Sequence, residues 1–377
     1  MSCRMNGILV LTVMLISGCV QPKTLEENGI MNIYGVDIAG DDQLKTTAVF
    51  YKFGAPGQDP SSLVTGQGKT LSKGQKRMNY KLGFQLQSGA IELELFGKKA
   101  AENGLIDYLR AASRHPRASN NRLLAVSDTT AKNLITKLDG LPNINVNQAL
   151  PNIIDVNSHM NVIPEVTLHN FQKLYYEPGI DPVMPILSYQ NERTRLTALA
   201  LFKGDQLAGQ IPVDQAFYIN VLHQNIRGLQ QEVQLPLQPL KKYLLKEPKS
   251  DQTDFYTLFN IKKGEGNIKL VNKQNLHFHT QLNFEVNILE LTESVGLQKP
   301  AAINAFEQEI EKAIKEQYEQ LLSKLQKWNV DPMGYGRTYK TQKRNSPLTE
   351  SEWRDKFPDV TFDVDVNVDI LDQGMTP

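Results

Sequence analysis

The chain has 377 residues, 40% of them hydrophobic, enough for a substantial core and for two or three domains. Its 41 Lys and Arg balance 41 Asp and Glu, and no Lys/Arg block of five or more occurs. Nucleic acid therefore finds no electrostatic footprint, and an anionic membrane finds no polybasic patch.

The N-terminus carries Arg4, an apolar run from Gly7 to Ile16, then Ser17, Gly18 and Cys19. A basic lead, a short apolar core and small residues before a cut site make a secretory signal peptide. The run is too short to cross ~30 Å of hydrocarbon at ~1.5 Å per residue. Ile16-Ser17-Gly18-Cys19 resembles the lipobox of bacterial lipoproteins. That likeness implies a covalent diacylglyceryl group and an N-acyl chain on Cys19, the first mature residue and the lipid-attachment site. Two acyl chains anchor stably where one is marginal, at ~0.8 kcal/mol per CH₂. The alternative is a plain secreted protein with an accidental cysteine. Cys3 would be removed with the signal, so no disulfide framework is expected. No cofactor besides the lipid is expected, and past Cys19 no second long apolar run follows.

Gln21 to Asn28 reads as a polar tether. Asn32–Ile38 and Leu44–Phe53 predict a hairpin around Ala39–Asp42. Thr65-Gly66-Gln67-Gly68-Lys69-Thr70 ends like a phosphate loop, but that loop wants glycine at position 63, where Leu63 stands, and a buried strand in front. It reads as a glycine turn feeding a helix, Leu71–Arg77. Strand Ile91–Phe96, helix Lys98–Ala112, strand Arg122–Ser127 and helix Thr129–Leu138, capped by Ser127 or Asp128, then alternate and predict an α/β layer. Such sheets bind ligands beyond the strand C-termini, which makes Arg114, His115 and Arg117 the anion candidates. The plainer reading is a basic loop that compensates a helix C-terminus. Gly140–Glu165, rich in Asn and Pro, predicts a long loop. A helix at Val166–Tyr176 and a stiff connector at Glu177–Ile186 follow.

From Leu187 a second unit opens, with a hairpin, Arg195–Phe202 and Leu207–Ile211, around Lys203–Gln206 and a helix from Asp214 to Arg227. Leu235–Asp254 predicts a linker. In the last unit Phe255–Ile261 and Asn267–Val271 predict a hairpin around Lys262–Gly266. Leu276–Leu289 alternates, with Phe278, Leu282, Phe284, Val286 and Ile288 on one side and His277 and His279 on the other, as a half-buried antiparallel strand does. Pro300 starts a long amphipathic helix to Trp328. Val360–Ile370 alternates too, with Asp363, Asp365 and Asp369 outward. Carboxylates two apart on a strand are ~6.8 Å apart and cannot converge on calcium, whose oxygens sit at ~2.3–2.6 Å, so this is a solvated face. The same holds for His277 and His279, and no metal site is expected.

The expected organisation is a signal peptide, 1–18, and a lipid-attached tether, 19–30. An N-terminal α/β domain, 31–186, a small middle domain, 187–250, and a C-terminal domain with antiparallel sheet and long helix, 251–377, come after. The fold class is α/β (α+β), three consecutive mixed domains. No H-E-x-x-H or G-x-S-x-G occurs, the mature region has no free cysteine, and the six histidines are scattered. No catalytic residue is assigned and no enzyme is expected.

In order along the chain, several segments resemble the Ger(x)C family, the C-subunit lipoproteins of spore germinant receptors. They are Cys19 in its lipobox, Gly35-Val36-Asp37, Thr65 to Leu71, Phe96-Gly97-Lys98-Lys99-Ala100-Ala101 and Arg114-His115-Pro116. Further on come Ala200 to Gly209, Trp328-Asn329-Val330-Asp331-Pro332-Met333-Gly334-Tyr335-Gly336, Trp353 and Phe357-Pro358. Phe84-Gln85-Leu86, without the family's His, and Gly228–Val233, without its Trp, depart from the pattern. The resemblance implies a non-enzymatic adaptor of three consecutive α/β domains beside membrane-embedded A and B subunits at the spore inner membrane, serving nutrient-triggered germination, the nutrient ligand unknown. The competing expectation is a solute-binding lipoprotein of an uptake system, which shares anchor and layers but needs a polar cleft between lobes.

Overall fold

A computed structural model describes residues 28–40, 43–52, 61–114, 119–142, 144–248, 251–342 and 347–372. The first sheet contains β1 (Asn28–Ala39), β2 (Gln43–Lys52), β3 (Ser61–Gly68), β4 (Gln85–Gln87), β5 (Leu93–Gly97), β6 (Leu123–Ser127), β7 (Val183–Gln190), β8 (Arg193–Lys203) and β9 (Gln206–Pro212). Its order is β3-β2-β1-β5-β6-β7-β8-β9, with β4 paired to β1. The central strands β1, β5, β6 and β7 run parallel and the flanks antiparallel. Long unbroken buried runs in β1, β5 and β7 show that both faces are covered. The helices along this part are α1 (Leu71–Asn79), α2 (Lys98–Asn103), α3 (Ile106–Ser113), α4 (Ala131–Asp139), α5 (Val146–His159) and α6 (Leu168–Tyr176).

Several expectations are corrected here. The expected division at 186/187 falls inside β7, and β7 to β9 continue the first sheet instead of forming a small one of their own. Ser61–Gly68, including most of the glycine segment, is a strand whose glycines let α1 approach: a Cβ at Gly68 would come within 2.8 Å of Lys73. Lys98–Ala112 breaks at Gly104, whose φ of 106° no ordinary helix residue adopts. Gly140–Glu165 contains α5, because Val146, Leu150 and Ile154 share a buried stripe and the Asn145 side chain caps the helix. The cap of α4 is Thr130, later than Ser127 or Asp128.

The second sheet, β10 (Leu229–Pro236), β11 (Asp254–Asn272), β12 (His277–Leu291) and β13 (Thr361–Asp372), is ordered as numbered. Two short helices, α7 (Phe217–His223) and α8 (Leu237–Leu240), lie around β10, so Leu235–Asp254 is not simply a linker. The hairpin expected within Phe255–Val271 does not form. β11 runs straight through Lys262–Gly266, and its glycines instead leave room for neighbours: a Cβ at Gly264 would meet Ile226 at 2.7 Å, and one at Gly266 would meet Leu222 at 2.8 Å.

Across the inner face lies α9 (Pro300–Trp328), burying Phe306, Ile310, Ile314, Tyr318, Leu321 and Leu325, each contributing about 2 kcal/mol of burial. β12 is antiparallel to β11 but parallel to β13, the arrangement a long crossover helix permits. The helices α10 (Tyr335–Gln342) and α11 (Glu350–Lys356) lie between α9 and β13 in the chain.

Two edge strands are blunted by charged side chains one helical turn apart. On β3, Lys81 Nζ and Arg77 Nη1 donate to the carbonyls of Thr65 and Gln67 at 2.6 and 2.8 Å. On β13, the N–H groups of Val368 and Ile370 donate to Glu311 and Glu307 at 3.0 and 2.9 Å.

Candidate functional site

At the C-terminal edge of the parallel strands, where an α/β sheet would take an anion, the chain supplies its own. Asp37 at the end of β1 accepts from the N–H groups of Ala131 and Lys132 at 2.7 and 2.9 Å, filling the N-terminus of α4. Gly97 lies directly against this carboxylate, where any side chain would collide with it. Gly35, two residues upstream of Asp37, brings β1 close to the same helix: a Cβ there would stand 3.1 Å from both Ala131 and Ile135. Burial pushes the Asp37 carboxyl up, and the two N–H donors pull it back down. The ligand position expected from topology is thus occupied by a side chain of the fold.

Arg114 caps the C-terminus of α3, its backbone N–H donating to the Arg110 carbonyl at 3.2 Å. His115, Arg117 and Cys19, the residue expected to carry the lipid, lie outside the described residues. Lys69 and Thr70 sit at the start of α1, where Thr70 caps the helix through Lys73 N–H at 3.2 Å. His277 and His279 each bond an aspartate of the neighbouring strand, Asp363 and Asp365, at 2.8 Å. Among the described residues no group of three or more His, Cys, Asp or Glu could hold a metal ion. A cavity of about 520 Å³ opens near the opposite ends of β5 and β6, walled in part by Glu92, Arg122, Asp155 and Glu165. Arg122 is itself held by the buried Glu94.

The most connected polar cluster joins the two sheets. Asp331, fully buried between α9 and α10, accepts at Oδ1 from the N–H of Gly334 at 2.8 Å and of Tyr335 at 3.2 Å. Its Oδ2 accepts from Gly336 N–H at 2.8 Å and from the Trp353 indole at 3.0 Å. The backbone N–H of Asp331 donates to the Asp181 carboxylate at 2.6 Å, and Asp181 N–H returns a bond to the Asp331 carbonyl at 2.9 Å. Asp181 precedes β7, and Arg354 of α11 grips its carboxylate with both terminal nitrogens while donating to the Asn329 carbonyl at 2.8 Å.

The backbones touch here as well. Gly179 and Gly336 are so close that a Cβ on either would stand 2.5 Å from the other's backbone, and Gly179 has φ 88°. Burial pushes the Asp331 carboxyl up to about 7, Asp181 adds to this, and the three backbone N–H groups oppose it. Every lone-pair direction of the Asp331 carboxylate is used internally, and the Asp181 carboxylate, bonded by Asp331 N–H and Arg354, makes the cluster a lock between the sheets.

Sequence reasoning singled out Trp328–Gly336 and Trp353 as segments but gave no role to Asp331, Asp181 or Arg354. Asp331 had a local signal, Asp-Pro-Met-Gly before a helix, in which an aspartate bonds backbone N–H groups ahead of it. Asp181 and Arg354 had none, being 173 positions apart.

Residues 21–189 match the family of spore germination protein N-terminal domains, and residues 197–374 match the spore germination B3/GerAC-like C-terminal family. The chain is 23% identical over 373 residues to the spore germination protein GerQC of Bacillus cereus, covering 98% of each. Its fold resembles the crystal structure of the GerBC protein, with a TM-score of 0.52 and 17% identity over 90% of this chain and 96% of that one. The break between the two family matches falls at the β7–β8 hairpin, inside one sheet. The chain belongs to the Ger(x)C family of spore germinant-receptor C subunits, and its role is in spore germination.

Proposed function

We propose that this chain is a lipid-anchored, non-catalytic adaptor of a nutrient germinant receptor. It is tethered through Cys19 to the outer face of the cytoplasmic membrane, the spore inner membrane, beside membrane-embedded A and B subunits. The observation that carries this reading is the pair of family matches running in order along nearly the whole chain, the first beginning at residue 21, just past Cys19. Among the described residues no helix is long and apolar enough to cross a membrane, which fits attachment by two acyl chains. The lock around Asp331 supports a scaffold: the Asp181 carboxylate, which takes the Asp331 N–H and the Arg354 guanidinium, holds two parts of the chain together.

Metabolic labelling with palmitate tests the anchor. The parent should carry label and sediment with membranes, and Cys19→Ala should do neither while remaining folded. Equal label in both overturns lipidation at Cys19. For the role, a deletion strain should lose its response to at least one nutrient and grow normally; normal germination on every nutrient tried contradicts the receptor reading.

A further inference from the structure

The covered face of the second sheet is apolar apart from the buried Thr257 and Thr280, but its open face contains a conflict. Glu285 and Asp369 stand directly opposite each other in the β12–β13 register, and like charges so placed destabilise a sheet. Lys263, opposite Glu285 on the other side, bonds Glu265 at 2.9 Å. These four side chains line a shallow groove of about 230 Å³ with Asn283 and Asn367, whose amides bond each other at 2.8 Å. Three carboxylates therefore face the Lys263 ammonium, with Arg227 the further cation close to it. Further along the face the Asp363 and Asp365 carboxylates bond His277 and His279, and Lys269 stands in register with His279. The surface as a whole is acidic although the chain is electrically balanced.

The groove does not suit a metal ion, because among the described residues no His, Cys, Asp or Glu cluster could hold one. A cation with reach does suit it: a guanidinium or ammonium on a flexible stem that enters from above and takes a carboxylate from each strand. We propose that this face docks a Lys/Arg-rich segment of a protein partner, with Glu285 and Asp369 receiving one of its cationic side chains. The proposal deepens the adaptor reading and rests on it. Docking of this kind is steered by charge and weakens as salt rises.

The test uses the purified protein and a fluorescent peptide of alternating Lys and Ala. Binding should weaken with salt, and the E285Q/D369N double variant should lose about tenfold in affinity. That variant should also melt about 1 °C higher, since a repulsion has been removed, so lost binding is not lost folding. Carbodiimide, which joins a carboxylate to an amine with loss of water, should link the peptide to Glu285 or Asp369. Equal binding by parent and variant, or cross-links confined to other carboxylates, overturns the docking face. A variant that loses the peptide yet germinates as the parent does, at equal protein level, overturns the face's link to a partner. Normal germination of the deletion strain overturns the adaptor reading instead.

Discussion

Along β5 every residue is buried, whereas along β12 buried and half-buried residues alternate. In the first sheet helices cover both faces, and its buried carboxylates are used inside the fold: Asp37 on a helix N-terminus, Glu94 on Arg122. In the second sheet one face packs on α9 and the other presents Asp, Glu, Asn, Gln and His to solvent. The difference separates packing from recognition. The buried carboxylates of the first sheet have internal partners that fix the chain's shape, while the polar residues on the open face of the second remain on a surface that another molecule can read. Between the sheets, Asp181, Asp331 and Arg354 hold the open face in a set position relative to the first sheet.

Changes at the lock should be the most damaging. Arg354→Ala leaves the Asp181 carboxylate buried without its cation and should cost about 3–5 kcal/mol in urea unfolding, and Arg354→Lys should restore only part, because one ammonium cannot reproduce the two-pronged grip. A loss below about 1 kcal/mol would mean the sheets are held elsewhere.

The lock also sets a pH dependence. The Asp331 carboxyl is raised from 3.8 in the unfolded chain to about 7, so between those values the folded state holds more protons. Stability should therefore fall as pH rises through that window, by up to about 4 kcal/mol. Urea midpoints at both ends of the window check the sign, and Asp331→Asn should flatten the slope.

Within the first sheet, Asp37→Asn should cost about 2 kcal/mol, since an amide offers one acceptor to two helix N–H groups. On the open face, His279→Gln should change stability by less than about 0.5 kcal/mol, because its pairing with Asp365 is solvated. A large loss there would erase the contrast between the two sheets.

What could be read from the chain follows the same contrast. β12, β13 and α9 declared themselves through strict periods of two and 3.6, because one face of each is wet. Around β7 the signal was weaker, since strands buried on both faces show no alternation, and Pro185 and Pro182 suggested a connector. The glycines of β11 mimicked a turn because the residue that relieves crowding from Ile226 is the same one that builds tight turns. Helix α5 was hidden by Asn145 and Pro151, one acting as its cap and the other sitting within it. Asp37 and Gly97 were legible as parts of family segments, but their meeting at the α4 N-terminus depends on sheet order, which no local pattern encodes. The Asp181–Arg354 pair is further from view for the same reason.

The separation of a closed packing sheet from an open recognition sheet is tested most directly by carboxylate footprinting. The purified chain and the chain in isolated spore membranes are each treated with carbodiimide and a small amine, and labelling is compared site by site. Glu285 and Asp369 should lose most of their labelling in the membranes, while Asp107 on α3 keeps its own. Unchanged labelling of Glu285 and Asp369 in membranes that contain the assembled receptor would contradict the assignment of this face to a partner.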